Sequence, residues 1–346
     1  MNLMKVMPAL CHLATEPVRL PRLRKRLLIL GADRQAKELG QVLLAHPDSP
    51  YEVIGFLDRD PSRVGERLVN PSIIGTFEQL FEIAEHHQVH TIAVCLDDRR
   101  VGLPVGTLLD FKSIGVEVVD GHQLFEQASG RLSIDLLKPS TLIFSTGFRR
   151  QLVIIGLKRL EDLVASVAGL IVLAPLFALV GSLIKLDSEG PIFYRQMRIG
   201  LQGTPYMMWK FRSMRHEAEK DGAQWAAPDD PRNTRVGRWL RKWRIDELPQ
   251  LINVVKGEMS LVGPRPERPA FVQELRSSIP YYDLRHTVRP GITGWAQTRF
   301  RYAASPEDAH VKLQYDLYYL KNLSLALDLK ILLETIRVVL FAEGSR

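Results

Sequence analysis

Two adjacent carboxylates, Asp246 and Glu247, stand where LPQLINVVK begins a helical pattern that stops at Gly257. Pro249 falls in the first turn of that helix, where its missing N–H costs little. Asp246 therefore marks a helix N-terminus, whose free N–H groups and dipole favour a carboxylate or a bound phosphate. The plain alternative is that Asp246 is only an N-cap. Successive residues of a regular helix point about 100° apart, so a task shared by the two carboxylates suits an irregular helix end. Around the pair the sequence supplies Lys210, Arg212, Arg241, Arg265, Arg289 and Arg301, all in stretches bounded by Gly or Pro. Arg265 lies in Gly263-Pro264-Arg265-Pro266, a turn stiff enough to hold a guanidinium in place. Arginine forks match phosphate oxygens. A basic surface resting on anionic lipid, worth about 1 kcal/mol per charge, is compatible with the same residues; the rigid turns favour a phosphate site. A carboxylate pair among arginines points to phosphoryl chemistry. Mg²⁺ can be held between carboxylate and substrate phosphate, and a carboxylate can also be the nucleophile and form an acyl-phosphate.

The element just before these residues is apolar. Leu163 to Ile184, LVASVAGLIVLAPLFALVGSLI, carries no charge. At about 1.5 Å per residue it is long enough to cross a hydrocarbon core of about 30 Å. Pro175 sits near its middle and removes one helical hydrogen bond. Each half then reaches about one leaflet deep. Lys158 and Arg159 flank it on one side, Lys185, Arg195 and Arg198 on the other. Positive residues at both ends favour both ends staying in the cytoplasm. The expectation is a re-entrant membrane helix over 156–186, broken at Pro175, rather than a span.

The N-terminal half alternates between strand-like and helix-like patterns. RLLILGA, YEVIGFLD, HTIAVCLD and GVEVVDG read as strands, with DRQAKELGQVLLAH a helix after the first. Strands alternating with helices imply a parallel sheet with right-handed crossovers. The first turn, Gly31 to Gly40, departs from the dinucleotide fingerprint: Asp33 takes the second glycine position and Ala36 the third. Asp58 remains able to hold a ribose. A nucleotide site and a docking or regulatory domain both stay open.

The expected architecture is α/β: a tail over 1–25, a Rossmann-like domain over 26–122, a connector over 123–155, the membrane helix, and a mostly α-helical (α+β) catalytic domain over 187–346. The tail is too interrupted for a signal peptide. The net charge of +7 admits nucleic acid, anionic lipid or phosphorylated substrates. Nucleic acid is disfavoured, because no recognisable motif interleaves aromatics with the basic residues. A nucleotide-sugar dehydratase or epimerase would need an intact glycine fingerprint and a Tyr-x-x-x-Lys pair in residues 26–150, and has neither. A non-enzymatic membrane scaffold is the remaining alternative. Cys11 and Cys95 have no metal-like spacing and read as reduced thiols.

The second half resembles the bacterial sugar transferases, the monotopic polyprenyl-phosphate glycosyl-1-phosphate transferases. KRLED, SEGPIFYRQMRIG, KFRSM, DELPQL, KGEMSLVGPRP, RPGITGWAQ and DLYYLKN occur in family order across residues 156–341. The N-terminal half is similar to the Rossmann-like domain of larger members, which also carry four membrane helices ahead of it. None is expected here, so anchoring is expected to rest on the mid-chain segment. The resemblance implies a bacterial inner-membrane enzyme with its catalytic domain on the cytoplasmic face. It implies a UDP-sugar donor, polyprenyl (undecaprenyl) phosphate as acceptor, membrane lipid around the anchor and Mg²⁺ as cofactor. A homodimer is compatible with it, and the oligomeric state stays open. Asp246 matches the nucleophile that would carry a covalent phosphosugar, and Glu247 the Mg²⁺ ligand. Lys210, Glu258, Arg265, Arg301 and Asp328 match functional positions, and Arg241 and Arg289 substrate contacts. Pro175 matches the helix-breaking proline. The family often has Ser-Pro there, and Ala174-Pro175 leaves this break without the hydroxyl that would take up a freed carbonyl.

Overall fold

The computed structural model describes residues 24–96, 102–137, 147–148, 152–215, 230–300 and 305–340. The chain divides into two compact units, one ending at Ser129 and the other beginning at Gly130. Cys11 and Arg301 lie outside the described residues, and Cys95 is buried and forms no disulfide among the described residues.

The first unit is a doubly wound sheet. Its strands are β1 (Lys25–Leu30), β2 (Tyr51–Asp58), β3 (Ile73–Thr76), β4 (Thr91–Val94) and β5 (Glu117–Asp120). All pairs are parallel, in the order β3-β2-β1-β4-β5. The helices are α1 (Arg34–Ala45), α2 (Leu80–His86), α3 (Val105–Ser113) and α4 (Gly121–Ser129). Alternate side chains of β1 go to opposite layers. Leu27 and Ile29 pack with Leu39, Phe56 and Phe125, whereas Leu28 and Leu30 pack with Leu57, Leu80 and Phe111. Four of the five strands fall where the sequence pattern predicts them. The fifth, β3, offers only Ile73 and Ile74 before Gly75 interrupts it, whereas β4 and β5, equally short, sit in longer apolar or β-branched runs. Helix α4 falls where the connector is expected, and it closes the first unit.

Gly31 turns the chain out of β1 at φ +122°, and a Cβ there would lie 2.0 Å from the Cys95 carbonyl oxygen. The turn is therefore tight, but its surroundings are already taken. Arg63 donates to Asp58 Oδ2 at 2.5 Å and to the Ala32 carbonyl at 3.3 Å. The carboxylate expected to be able to hold a ribose is thus engaged by a guanidinium of its own domain.

The second unit opens with α5 (Leu152–Asp187), a single helix of 36 residues with Pro175 inside it. It is longer than the expected segment and is one helical element rather than two separate arms, since a proline forfeits one bond of the ladder and leaves the others. The hairpin β6 (Phe193–Ile199) and β7 (Pro205–Phe211) follows, then α6 (Arg235–Lys242), a single 3₁₀ turn (Ile245–Glu247) and α7 (Gln250–Lys256). A parallel pair, β8 (Ser260–Val262) and β9 (Gly291–Thr293), encloses α8 (Pro269–Ser278) and a 3₁₀ stretch (Tyr282–Thr287). The remaining helices are α9 (Trp295–Arg299), α10 (Pro306–Lys321) and α11 (Leu325–Leu340).

Helix α5 is held at both ends against this one unit. Near its start, Lys158 donates to Asp328 Oδ2 at 2.6 Å, Arg159 donates to the carbonyls of Val254 and Val255 at 2.6 and 2.9 Å, and Asp162 accepts from the Leu261 N–H at 2.9 Å. Near its end, Val180 and Ile184 pack on Phe211 and Leu240. Between these clasps the apolar surface is bare: Ile171 is 70% and Val172 76% exposed. A stripe of this length and hydropathy needs an apolar surrounding, and it suits membrane association.

Candidate active site

The acid pair sits on the 3₁₀ turn between α6 and α7. Arg244, just ahead of it, is left-handed (φ +53°), so the chain turns sharply and the following residues are not yet in regular helix. Both carboxylates are presented from this corner, and both residues are buried. Their surroundings differ. Lys210, from the end of β7, donates to Glu247 Oε1 at 2.9 Å, and Arg265 donates to the same oxygen at 2.7 Å. No side-chain hydrogen bond or ion pair reaches the Asp246 carboxylate among the described residues.

The electrostatics follow from that division. Burial pushes the Asp246 carboxyl up to about 6, against the nearby Lys210 charge and helped by its Glu247 neighbour. Burial acts in the same direction on Glu247, but Arg265 and Lys210 outweigh it and hold that carboxyl well below the usual range. One member of the pair is a fixed anion. The other is a desolvated carboxylate without a partner, which is the condition of a reactive oxygen.

Two features place these groups. Asn253, fully buried in α7, accepts from the Trp209 N–H at 2.9 Å and donates to the Met207 carbonyl at 2.8 Å and to Glu258 Oε2 at 2.6 Å. It stitches α7 to β7 and so sets Lys210 against Glu247. The Gly-Pro-Arg-Pro turn leaves β8 where the two small strands nearly touch: a Cβ on Gly263 would lie 2.4 Å from the Arg289 carbonyl oxygen. That turn aims Arg265 at Glu247. Asn253 is not among the residues expected from sequence, and its one signal is a polar residue inside the apolar LINVV.

Of the residues expected from sequence, the structure gathers Asp246, Glu247, Lys210 and Arg265. Arg241 adds a positive field at Asp246 while donating to Asn233 Oδ1 at 2.9 Å. Others are committed elsewhere. Arg212 donates to the carbonyls of Ser188 and Glu189 at 2.7 and 2.6 Å and so caps α5. Arg289 donates to the Gly257 carbonyl at 2.9 Å and closes the end of α7. Glu258 receives Asn253. Asp328 takes Lys158 and the Tyr319 hydroxyl, the latter at 2.8 Å. In these four the polar atoms hold helices and loops in place; a cation that meets a carbonyl and one that meets a phosphate look alike in sequence. Arg244 and the anchors Lys158, Arg159 and Asp162 are not among the expected site residues either.

Residues 153–342 match the family described as bacterial sugar transferase, and residues 8–101 match a CoA-binding domain. The chain is 34% identical over 324 residues to the UDP-glucose:undecaprenyl-phosphate glucose-1-phosphate transferase of Escherichia coli (strain K12), covering 90% of this chain and 67% of that one. It is 44% identical over 224 residues to the UDP-N-acetylgalactosamine-undecaprenyl-phosphate N-acetylgalactosaminephosphotransferase of Aeromonas hydrophila, covering 65% of this chain and 52% of the relative. It is 45% identical over 194 residues to the undecaprenyl-phosphate glucose phosphotransferase of Komagataeibacter xylinus, covering 54% of this chain and 36% of the relative. The chain thus spans between a third and two thirds of the length of these relatives. With the family match running over more than half its length and carrying the acid pair, this chain belongs to the bacterial sugar transferase family.

Proposed function

We propose that this protein transfers a sugar-1-phosphate from a UDP-sugar to undecaprenyl phosphate and releases UMP. The observation that carries the reading is the unequal acid pair: a buried, unpartnered Asp246 beside a Glu247 locked by Lys210 and Arg265. Asp246 Oδ attacks the sugar-bearing phosphorus. The bond from that phosphorus to the bridging oxygen breaks, and UMP leaves with the electron pair. A phosphate oxygen of the lipid then attacks the same phosphorus, the aspartyl–phosphorus bond breaks, and the carboxylate is restored. Names of the relatives supply the acceptor and the donor class.

Mg²⁺ fits the same corner. Glu247 would hold the ion together with substrate phosphates, because magnesium takes one or two carboxylates and keeps its other positions for phosphate and water. Among the described residues no group of three or more acidic, His or Cys side chains forms a cage of its own. When bound, the ion supplies neutralisation of phosphate charge. Lys210 and Arg265 orient Glu247, and Arg241 adds positive potential where the leaving phosphate gains charge.

The membrane placement is part of the reading. Both ends of α5 clasp the unit that holds the acid pair, which supports a re-entrant path with both ends on the cytoplasmic face of the inner membrane. The deciding experiment is trapping with a UDP-sugar labelled in the sugar. Wild type should retain label on Asp246, and Asp246→Asn should lose both the adduct and UMP release by at least about a thousandfold. Normal turnover of Asp246→Asn would overturn the mechanism.

A further inference from the structure

A cavity of about 260 Å³ opens against Glu247 on the side of Arg244. Arg244 and Glu247 stand at one side of it, and Leu251, Ile292, Leu332 and Val338 form apolar walls from α7, β9 and α11. Of the polar residues of the wall, the hydroxyls of Thr293 and Thr335 bond each other at 2.7 Å, Thr298 donates to the Trp295 carbonyl at 3.1 Å, and Gln297 donates to the Ile292 carbonyl at 3.1 Å while its Oε1 has no partner among the described residues. Its volume falls below the roughly 300–1,000 Å³ of ordinary small-molecule sites. It has room for a short run of branched hydrocarbon and not for a UDP-sugar.

Two observations name the occupant. The outer side of α11 presents Leu329, Leu333 and Ile336, each more than half exposed, next to the face that lines the cavity. An apolar surface therefore continues from the outside of the molecule into the cavity. At the cavity's polar side, the Arg244 guanidinium makes no hydrogen bond among the described residues, although it lies close enough to Glu247 to lower its proton affinity. An apolar channel that ends on an uncommitted cation beside Glu247, next in sequence to the reactive carboxylate, complements one kind of molecule, an anion with a hydrocarbon tail. The larger cavity of about 540 Å³ near the start of α5 does not serve: Lys158, Arg159 and Arg289 in its wall are spent on Asp328 and on carbonyls, and it does not reach the acid pair.

We propose that this cavity seats the first isoprene units of the acceptor, polyprenyl phosphate, with Arg244 holding its phosphate beside Asp246. The assignment rests on the function proposed above. Leu332→Trp and Val338→Trp fill the cavity from two sides, and both are assayed in the full chain in phospholipid nanodiscs. Undecaprenyl phosphate is the acceptor, and the donor is UDP-glucose or UDP-N-acetylgalactosamine, whichever supports UMP release. Exchange of labelled UMP into the UDP-sugar needs no acceptor and reads the first half-reaction alone. The variants should raise the acceptor KM by about tenfold or more, the size of one mismatched apolar contact, while the donor KM in the exchange stays within about twofold. Arg244→Gln should raise the acceptor KM in the same way. An acceptor KM unmoved in the folded variants overturns the assignment, as does a donor KM that rises in step. Val338, on the last turn of α11 and half-buried, decides the matter if Leu332→Trp does not fold. Absence of exchange in the wild type would remove the reaction itself, a result separate from any loss confined to the variants.

Discussion

Asp246 and Glu247 are neighbours on one turn, yet their surroundings drive their proton affinities apart. For Asp246 the folded value, about 6, lies above the ordinary 3.8. Its ionised form is therefore disfavoured by folding, at a cost absent in acid and complete once the pH has risen past about 6. On the proposed mechanism Asp246 must be ionised to attack, so kcat/KM should fall as pH drops through about 6, with one proton taken up, while Glu247 stays charged. A profile flat down to pH 5 would remove Asp246 from that role. The same sign predicts a stability gain when that carboxylate is removed. Asp246→Asn should be more stable than wild type at pH 7.5 by about 1–3 kcal/mol, a gain that vanishes as pH falls towards the ordinary carboxylate range; urea denaturation at the two pH values tests it. Chelation gives an independent check on Glu247: EDTA should stop UMP release, and added Mg²⁺ should restore it.

The helices show why some candidate residues are anchors. Asp328 and Lys158 join α11 to α5 with side chains that are 2% and 12% exposed, so the pair is out of water. Asp328→Asn strands a buried ammonium and should cost about 3 kcal/mol, seen as a lower thermal midpoint in nanodiscs. Asp328→Asn should still catalyse UMP exchange at a temperature where it is folded, because the carboxylate is engaged by Lys158 and the Tyr319 hydroxyl. Loss of exchange in the folded variant would return Asp328 to the catalytic group. Legibility follows the same division. Helix α5 was readable because an uncharged run of that length suits a hydrocarbon surrounding far better than the core of a small domain. Asp246 and Glu247 stood out as paired carboxylates at a helix start ahead of Pro249, and Lys210 and Arg265 as cations in stretches bounded by Gly or Pro. The duties of Arg212, Arg289 and Glu258 were not, because whether an arginine meets a carbonyl or a phosphate depends on which distant segment folds against it. Strand β3 was hidden for a local reason: its apolar run is two residues, cut off by Gly75.

The whole molecule is two units with separate cores. The parallel sheet of the first was legible from its alternating strands and helices, but the engagement of Asp58 by Arg63, a partner five positions along, was not. The acid pair, its cations and the membrane helix all belong to the unit that begins at Gly130. A chain of residues 130–346 should therefore exchange labelled UMP at a rate within about threefold of the full protein when reconstituted in lipid, since distant, independent parts act additively. A much larger loss would assign the first unit a part in catalysis rather than in docking or regulation.

The double clasp on α5 has a consequence for the choice of bilayer. A helix anchored at opposite faces must match the hydrophobic thickness, and it tilts or deforms the lipid when the match is poor. On the proposed re-entrant path, a helix whose two ends return to the same folded body enters a single leaflet and measures nothing across the membrane. Activity should then be nearly indifferent to acyl-chain length when short- and long-chain phosphatidylcholine vesicles are compared, which would let the same enzyme work in membranes whose thickness drifts with growth temperature.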